Sequence, residues 1–140
     1  RYNPFFLYGK WGSGKTHLLR AIENAIKKRH KEIKTLYIIG EEFYSDLVEA
    51  VRGRAFNKLK SYYQNYDVVM IDGIDVFLNK EFAQGVVMEF LDALCANNKQ
   101  VIVTSELPPL RLPVIQDHFR SFYDGGLIVG IVAQKKKSSE

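Results

Sequence analysis

The sequence lacks the features of several protein classes. Its single cysteine, Cys95, cannot form an internal disulfide, which argues against a disulfide-stapled secreted domain and predicts a buried thiol in a reducing compartment. No apolar run is long enough for a membrane-spanning helix, and no signal peptide is recognisable. We therefore expect a soluble, cytoplasmic protein.

Neither charge nor length identifies a partner. The net charge of +4 and the pI of about 9.1 are compatible with nucleotide or nucleic-acid ligands but too modest to specify either. With 140 residues, of which 46% are hydrophobic, the chain can bury one core, and we expect a single α/β unit over residues 1–134. Residues 135–140 are expected to form a disordered tail, and the start at Arg1 indicates a piece of a longer protein.

A glycine-rich loop stands between an apolar strand pattern at residues 5–8 and a helical pattern. The loop follows the pattern G-x-x-x-x-G-K-T and consists of Gly9, Lys10, Trp11, Gly12, Ser13, Gly14, Lys15 and Thr16. Glycines let the backbone approach a phosphate chain, while loop N–H groups and the following helix N-terminus attract its charge. The motif therefore predicts a P-loop in which Lys15 reaches the β- and γ-phosphates and Thr16 ligates Mg²⁺, with His17 beside them. A chance glycine-rich turn is the alternative, which the flanking strand and helix disfavour.

Strand and helix patterns alternate along the rest of the chain. Further strands are predicted at residues 35–39, 68–72, 100–104 and 127–131, and helices at 41–52, 55–63, 80–97 and 115–122. The helix after the loop is predicted to bury an apolar stripe formed by Leu18, Leu19, Ile22, Ala25 and Ile26. Five strands with crossover helices indicate a parallel sheet with helices on both faces.

The strand at residues 68–72 is a continuous apolar run that ends in a carboxylate, Asp72. Because ligands of such sheets sit beyond the carboxyl ends of the strands, the Gly9 loop, Asp72 and Ser105 are expected to meet at one edge. Asp72 then fits a carboxylate that holds Mg²⁺ opposite Thr16. Its alternative role is to cap the next turn.

Several segments closely resemble the AAA+ module of the bacterial replication initiator DnaA, and the resemblance covers nearly the whole chain. These segments are residues 3–9, 14–19, 62–63, 71–72 and 104–105. The resemblance implies a P-loop ATPase fold of AAA+ type that binds ATP or ADP with Mg²⁺, assembles on DNA and couples nucleotide state to origin opening. It also implies contacts to single-stranded DNA through Val48 and Lys80. The present sequence stops where the family's helical lid would begin, so the lid is expected to be absent from it.

The sequence departs from the family at positions that bear on hydrolysis and DNA binding. The family carries a second acidic residue directly after the aspartate, where this chain has Gly73. Arginines expected before the last strand are replaced by His118 and Phe122, while Arg120 lies on a different helix face. Phe82 replaces a DNA-contacting arginine. These departures predict weak ATP hydrolysis and weak binding of single-stranded DNA.

Several functions remain compatible with these residues. One is an ATP-dependent replication initiator or initiation regulator that acts on DNA. Another is a degenerate module that holds nucleotide and docks onto an initiator or helicase with little turnover, and a helicase-loader ATPase would look similar. A P-loop kinase for small molecules is disfavoured, because no arginine-rich lid segment is visible.

Overall fold

A computed structural model describes residues 3–10, 12–107 and 127–130. The strands are β1 (Phe5–Tyr8), β2 (Thr35–Ile39), β3 (Val68–Asp72), β4 (Gln100–Ser105) and β5 (Leu127–Gly130). The helices are α1 (Lys15–Arg29), α2 (Gly40–Arg52), α3 (Phe56–Tyr63) and α4 (Glu81–Ala96), with a short 3₁₀ turn at Ile74–Phe77. The predicted α/β class is confirmed. The predicted helix at residues 115–122 and the tail at 135–140 lie outside the described residues.

The strands form a parallel sheet. β2, β3, β4 and β1 are hydrogen-bonded in this order, and β5 pairs with the free side of β1. Asp72 lies in register with Ile39 on one side and Thr104 on the other, and Tyr8 lies in register with Ser105. The ends of β1, β3 and β4 therefore meet, which brings the glycine-rich loop close to Asp72.

Both faces of the sheet are covered by helices. Val69 and Ile71 of β3 belong to the larger apolar cluster with α2, α3 and α4. Val68 and Met70 alternate with them and pack against Leu19 of α1 in the smaller cluster. This alternation explains why β3 reads as an uninterrupted apolar run, since both of its faces are buried.

The buried stripe of α1 differs from the predicted one. Leu18 is 40% exposed and Ala25 is exposed, so these two predictions are wrong. The stripe that faces the sheet instead includes Glu23, which is only 7% exposed. Its carboxylate accepts a hydrogen bond from Arg20 at 2.8 Å and lies 3.4 Å from the Lys27 ammonium. These two cations compensate the burial of the charge.

None of the helices in the described segments is long and apolar enough to cross a membrane.

Candidate nucleotide-binding site

The loop between β1 and α1 is built on two glycines with positive φ. Gly12 has φ of 83° and Gly14 has φ of 98°. A Cβ atom at either position would meet nothing within 4 Å, so the left-handed backbone, rather than crowding, favours glycine here. Gly14 also offers no side chain to cap α1, and no acidic residue lies in its first turn. The first N–H groups of α1 are therefore available to an anion.

Lys15 folds back onto its own loop. Its ammonium donates hydrogen bonds to the Gly9 carbonyl, to the Lys10 carbonyl at 3.1 Å and to Ser13 Oγ at 3.4 Å. Gly9 in turn donates its N–H to the Ser105 carbonyl at 3.0 Å, which fixes the loop to the end of β4. A phosphate group bound in this loop would compete for the same ammonium.

Asp72 accepts three hydroxyl hydrogen bonds. Oδ2 accepts from Thr16 Oγ1 at 2.7 Å and from the Tyr37 phenol at 2.6 Å, while Oδ1 accepts from Thr104 Oγ1 at 2.7 Å. Burial alone would raise the pKa of Asp72. The three hydroxyls and the positive charge of Lys15 outweigh burial and hold the pKa below its ordinary value. Asp72 is thus an ionised acceptor at neutral pH.

Tyr37 was not anticipated from the sequence as a member of this site. Burial and the hydrogen bond to Asp72 raise the pKa of Tyr37 to about 12. The Arg20 guanidinium lies 3.6 Å from the centroid of its ring. The signal that could have identified Tyr37 is its place on β2, the neighbour of β3, two residues before the strand ends.

Seven of the predicted phosphate and metal residues line one cleft of about 640 Å³, whereas Gly9, Lys10 and Ser13 do not line it. It is bordered by Gly12, Gly14, Lys15, Thr16 and His17 together with Asp72 and Ser105. Ser105 is fully buried, and its hydroxyl accepts the Leu107 N–H at 3.0 Å. Trp11 lies outside the described residues.

The donor atoms at the metal position are hard oxygens. Thr16 supplies a hydroxyl and Asp72 a carboxylate, which suit Mg²⁺. Over the part of the chain that the structure describes, no three His, Cys, Asp or Glu residues cluster as a metal site. These two side chains therefore suit an ion that a ligand's phosphates would also coordinate.

Gly73 adopts a conformation that suits glycine. Its φ is 100° and its ψ is 60°, in the left-handed region. Its carbonyl oxygen also lies against the start of α2, where a Cβ on Gly40 would come within 2.0 Å of it. The residue after Asp72 therefore lacks a side chain and has a backbone conformation that disfavours one.

The predicted DNA-contacting residues Val48 and Lys80 are both neighbours of Tyr44. The Lys80 ammonium lies 5.6 Å from the centroid of the Tyr44 ring, and Tyr44 precedes Val48 by one turn of α2. Phe82, two residues after Lys80, is 74% exposed. Most of the Phe82 side chain is therefore in contact with solvent.

Comparisons with known proteins agree with this fold and loop. A family model described as the bacterial DnaA ATPase domain matches residues 1–130. Domain III of the Thermotoga maritima replication initiation protein DnaA is 31% identical with a TM-score of 0.83, covering 94% of this chain and 55% of that one. A replication initiator DnaA bound to AMPPCP and single-stranded DNA is 32% identical with a TM-score of 0.78, covering 93% and 40%.

The DnaC helicase loader shares the fold at 18% identity and a TM-score of 0.75, covering 93% of this chain and 78% of that one. The present chain thus spans about half of the lengths of the two DnaA structures, at 55% and 40%.

Proposed function

Because this chain belongs to the bacterial DnaA ATPase-domain family, we propose that it is the ATP-binding module of a DnaA-like replication initiator or initiation regulator. In this proposal the bound nucleotide controls assembly of the cytoplasmic protein on DNA. The observation that carries it is the convergence of Lys15, Thr16 and Asp72 on one cleft beside a glycine-rich loop.

The loop is proposed to hold the nucleotide through its phosphates. The negative charge of the phosphates would be stabilised by the N–H dipoles at the start of α1 and by the positive charge of the Lys15 ammonium. Lys15 would exchange its contacts with the Gly9 and Lys10 carbonyls for contacts with phosphate oxygens.

Mg²⁺ is proposed to lie between Thr16 and Asp72. Their hydroxyl and carboxylate oxygens are 2.7 Å apart, so both can contact one ion. A bound ion would neutralise phosphate charge and fix the orientation of the phosphate chain. Tyr37 and Thr104 would keep the Asp72 carboxylate in place when Thr16 turns to the metal.

The nucleotide site is tested by thermal unfolding of the full-length protein with ATP and Mg²⁺. At about 100 times its dissociation constant, a ligand adds roughly 2.7 kcal/mol to the free energy of unfolding. Lys15→Ala is expected to abolish the resulting rise in melting temperature. Lys31→Ala is the matched control, because Lys31 is exposed beyond the C-terminal end of α1. An unchanged melting temperature of the unaltered protein at millimolar ATP would contradict the proposal.

We propose single-stranded DNA as the second ligand. The related initiator bound to single-stranded DNA supports this choice, as do the exposed Lys80 and Phe82 and the half-buried Val48. Val48 and Lys80 offer an apolar and a phosphate contact, and Phe82 offers a ring on which a base can stack.

A second candidate is a nucleotide-holding module with little turnover that docks onto an initiator or a helicase. Gly73 favours it, because glycine provides no group to act on water after Asp72. Phe122, which lies outside the described residues, cannot act as an arginine finger for a neighbouring copy, a role worth about 10³ to 10⁵ in rate. The two candidates are separated by single-turnover ATP hydrolysis measured over a range of protein concentrations, with and without single-stranded DNA. Brisk, concentration-dependent turnover would favour the initiator.

A further inference from the structure

Asp72 has little capacity left to act on water. Both of its oxygens already accept hydrogen bonds, Oδ2 from two hydroxyls and Oδ1 from a third. A metal ion at Thr16 would occupy the carboxylate further. A water molecule that attacks a bound nucleotide would therefore need a different carboxylate to orient it.

The 3₁₀ turn after Gly73 presents one such carboxylate to the cleft. Ile74 and Phe77 are both fully buried, and residues three apart lie on the same side of a 3₁₀ turn. Asp75 and Val76, between them, border the cleft together with Lys15. The buried ends of the turn thus anchor it, and its middle faces the site.

The Asp75 carboxylate lies close to the position that a side chain at residue 73 would occupy. Its Oδ1 is 3.9 Å from where a Cβ atom on Gly73 would lie. Gly73 itself places nothing in that space. Within residues 3–10, 12–107 and 127–130, no side chain donates a hydrogen bond to Asp75 or pairs with its charge. Its acceptor oxygens are therefore available to a ligand.

From this geometry we propose that Asp75 is the catalytic carboxylate of ATP hydrolysis in this chain. The inference rests on the proposed nucleotide site. Asp75 orients a water molecule whose oxygen forms a bond to the γ-phosphorus of ATP. The bond from that phosphorus to the β,γ-bridging oxygen breaks, ADP leaves with the electron pair, and a proton passes from the water to Asp75 and on to solvent. The co-reactants are ATP and water.

Two further carboxylates border the cleft, Glu41 and Glu106, and both are exposed. Glu41 lies in the first turn of α2, and Glu106 directly follows β4. Neither adjoins the position of a residue-73 side chain in the way that Asp75 does. Glu41 therefore provides a control of equal charge on the rim of the same cleft.

The test is single-turnover ATP hydrolysis by the full-length protein and its Asp75→Asn, Asp75→Glu and Glu41→Gln variants. Removal of a general base lowers a rate by about 10² to 10⁴-fold. We expect that loss in Asp75→Asn, a smaller loss in Asp75→Glu and a rate near that of the unaltered protein in Glu41→Gln. The rise in melting temperature with ATP and Mg²⁺ should be the same in all four proteins.

Three results would overturn the inference. Equal rates in Asp75→Asn and Glu41→Gln would exclude a special role of Asp75. A rate in the unaltered protein no higher than in Lys15→Ala would mean that no hydrolysis depends on this site. Loss of the ATP-dependent melting shift in Asp75→Asn, with the shift retained in Asp75→Glu, would assign Asp75 to binding. Absence of the shift in the unaltered protein would instead contradict the nucleotide site itself.

Discussion

At Asp72 the direction of each hydrogen bond is fixed by its neighbours. Thr104 accepts the Gly73 N–H at 2.9 Å on the same oxygen that donates to Asp72. Its single hydroxyl hydrogen is thereby committed to the carboxylate. Since Thr16 and Tyr37 also donate, the arrangement is satisfied only when Asp72 is ionised.

The first prediction concerns the pH dependence of stability at Asp72. Its pKa is lower in the folded protein than its ordinary value, so its stabilising effect is present above that ordinary value and is lost as pH falls through the folded pKa. Asp72→Asn is expected to lower the free energy of unfolding by about 1 to 3 kcal/mol at pH 7. The difference from the unaltered protein should shrink below about pH 4.

Urea unfolding between pH 7 and pH 3.5 measures this difference. Glu49→Gln serves as the control, because Glu49 is exposed on α2 and removing its charge breaks no contact with Asp72. A destabilisation of Asp72→Asn that stays constant over the whole pH range would show that the hydroxyls do not favour the ionised carboxylate.

The sequence predicts a residue's role in the site only where that residue belongs to a recognisable motif or pattern. Lys15 and Thr16 follow from the loop motif, and Asp72 follows from its place at the end of an apolar strand. Tyr37 could not be assigned, because no spacing rule connects it to the loop. Asp75 is recognisable in the sequence only as the nearby acid that could compensate for the carboxylate missing at Gly73. Tyr37 depends on strand register, and Asp75 depends on a left-handed Gly73.

At the scale of secondary structure, Gly40 and Gly73 form a contact between two backbones. A Cβ on Gly40 would lie 2.0 Å from the Gly73 carbonyl oxygen and 3.3 Å from Val76 Cγ1. The approach of α2 to the turn after β3 therefore depends on the absence of a side chain. Gly85, in the middle of α4, has nothing within 4 Å of the same position.

The second prediction compares alanine at these two glycines. Helix propensity alone would favour alanine at both. We expect Gly85→Ala to raise the free energy of unfolding by about 0.5 to 1 kcal/mol. Gly40→Ala should lower it by about 1 to 3 kcal/mol or more, because backbone atoms must move apart. Chemical denaturation of the two variants side by side measures both effects, and a stabilised Gly40→Ala would show that the contact is looser than described.

The sequence patterns predicted the positions of most helices and strands, but not in every case which face of a helix is buried. β2 and β3 begin and end where predicted, because their apolar runs are bounded by polar residues and turns. The Ile74–Phe77 turn was missed, since four residues are too few to show a period. On α1 the apolar period placed Leu18 inward, whereas the structure buries Glu23 between two cations. Pairing between side chains of one helix is not visible in apolar periodicity.

At the scale of the whole molecule, the third prediction concerns the proposed binding of single-stranded DNA, which involves few contacts. Binding of single-stranded DNA to this fragment should be weak and should fall as salt is added, because the phosphate contacts release counterions. Lys80→Ala is expected to reduce the logarithmic salt slope by about 0.7. Phe82→Ala should cost about 1 to 3 kcal/mol of binding if a base stacks on the ring.

Fluorescence anisotropy titrations over a series of salt concentrations separate the two contributions. Tyr62→Ala is the aromatic control, because Tyr62 on α3 is also exposed, at 53%. Tight binding that ignores salt, or equal losses in Phe82→Ala and Tyr62→Ala, would contradict the assigned surface.

The fourth prediction uses Cys95, which is partly buried rather than fully buried as the sequence predicts, as a probe of global unfolding. Burial, together with the charge of Asp92, raises the pKa of the Cys95 thiol to about 12. The reactive thiolate is therefore scarce in the folded protein at pH 8. Labelling by a thiol reagent should be slow in buffer and fast in urea, with the change at the unfolding midpoint. Labelling of the folded protein as fast as a free cysteine would contradict this burial.

The contact of Gly40 with Gly73 also has a mechanical consequence. A side chain at an interface can change rotamer and so accommodate a small displacement. Two backbones in direct contact cannot adjust in this way. We therefore expect a shift of the turn that carries Asp75 to displace the first residue of α2 as well. Val48 lies on α2 about 12 Å from Gly40 along the helix axis, at a rise of about 1.5 Å per residue. α2 thus connects the cleft to the surface that is proposed to contact DNA.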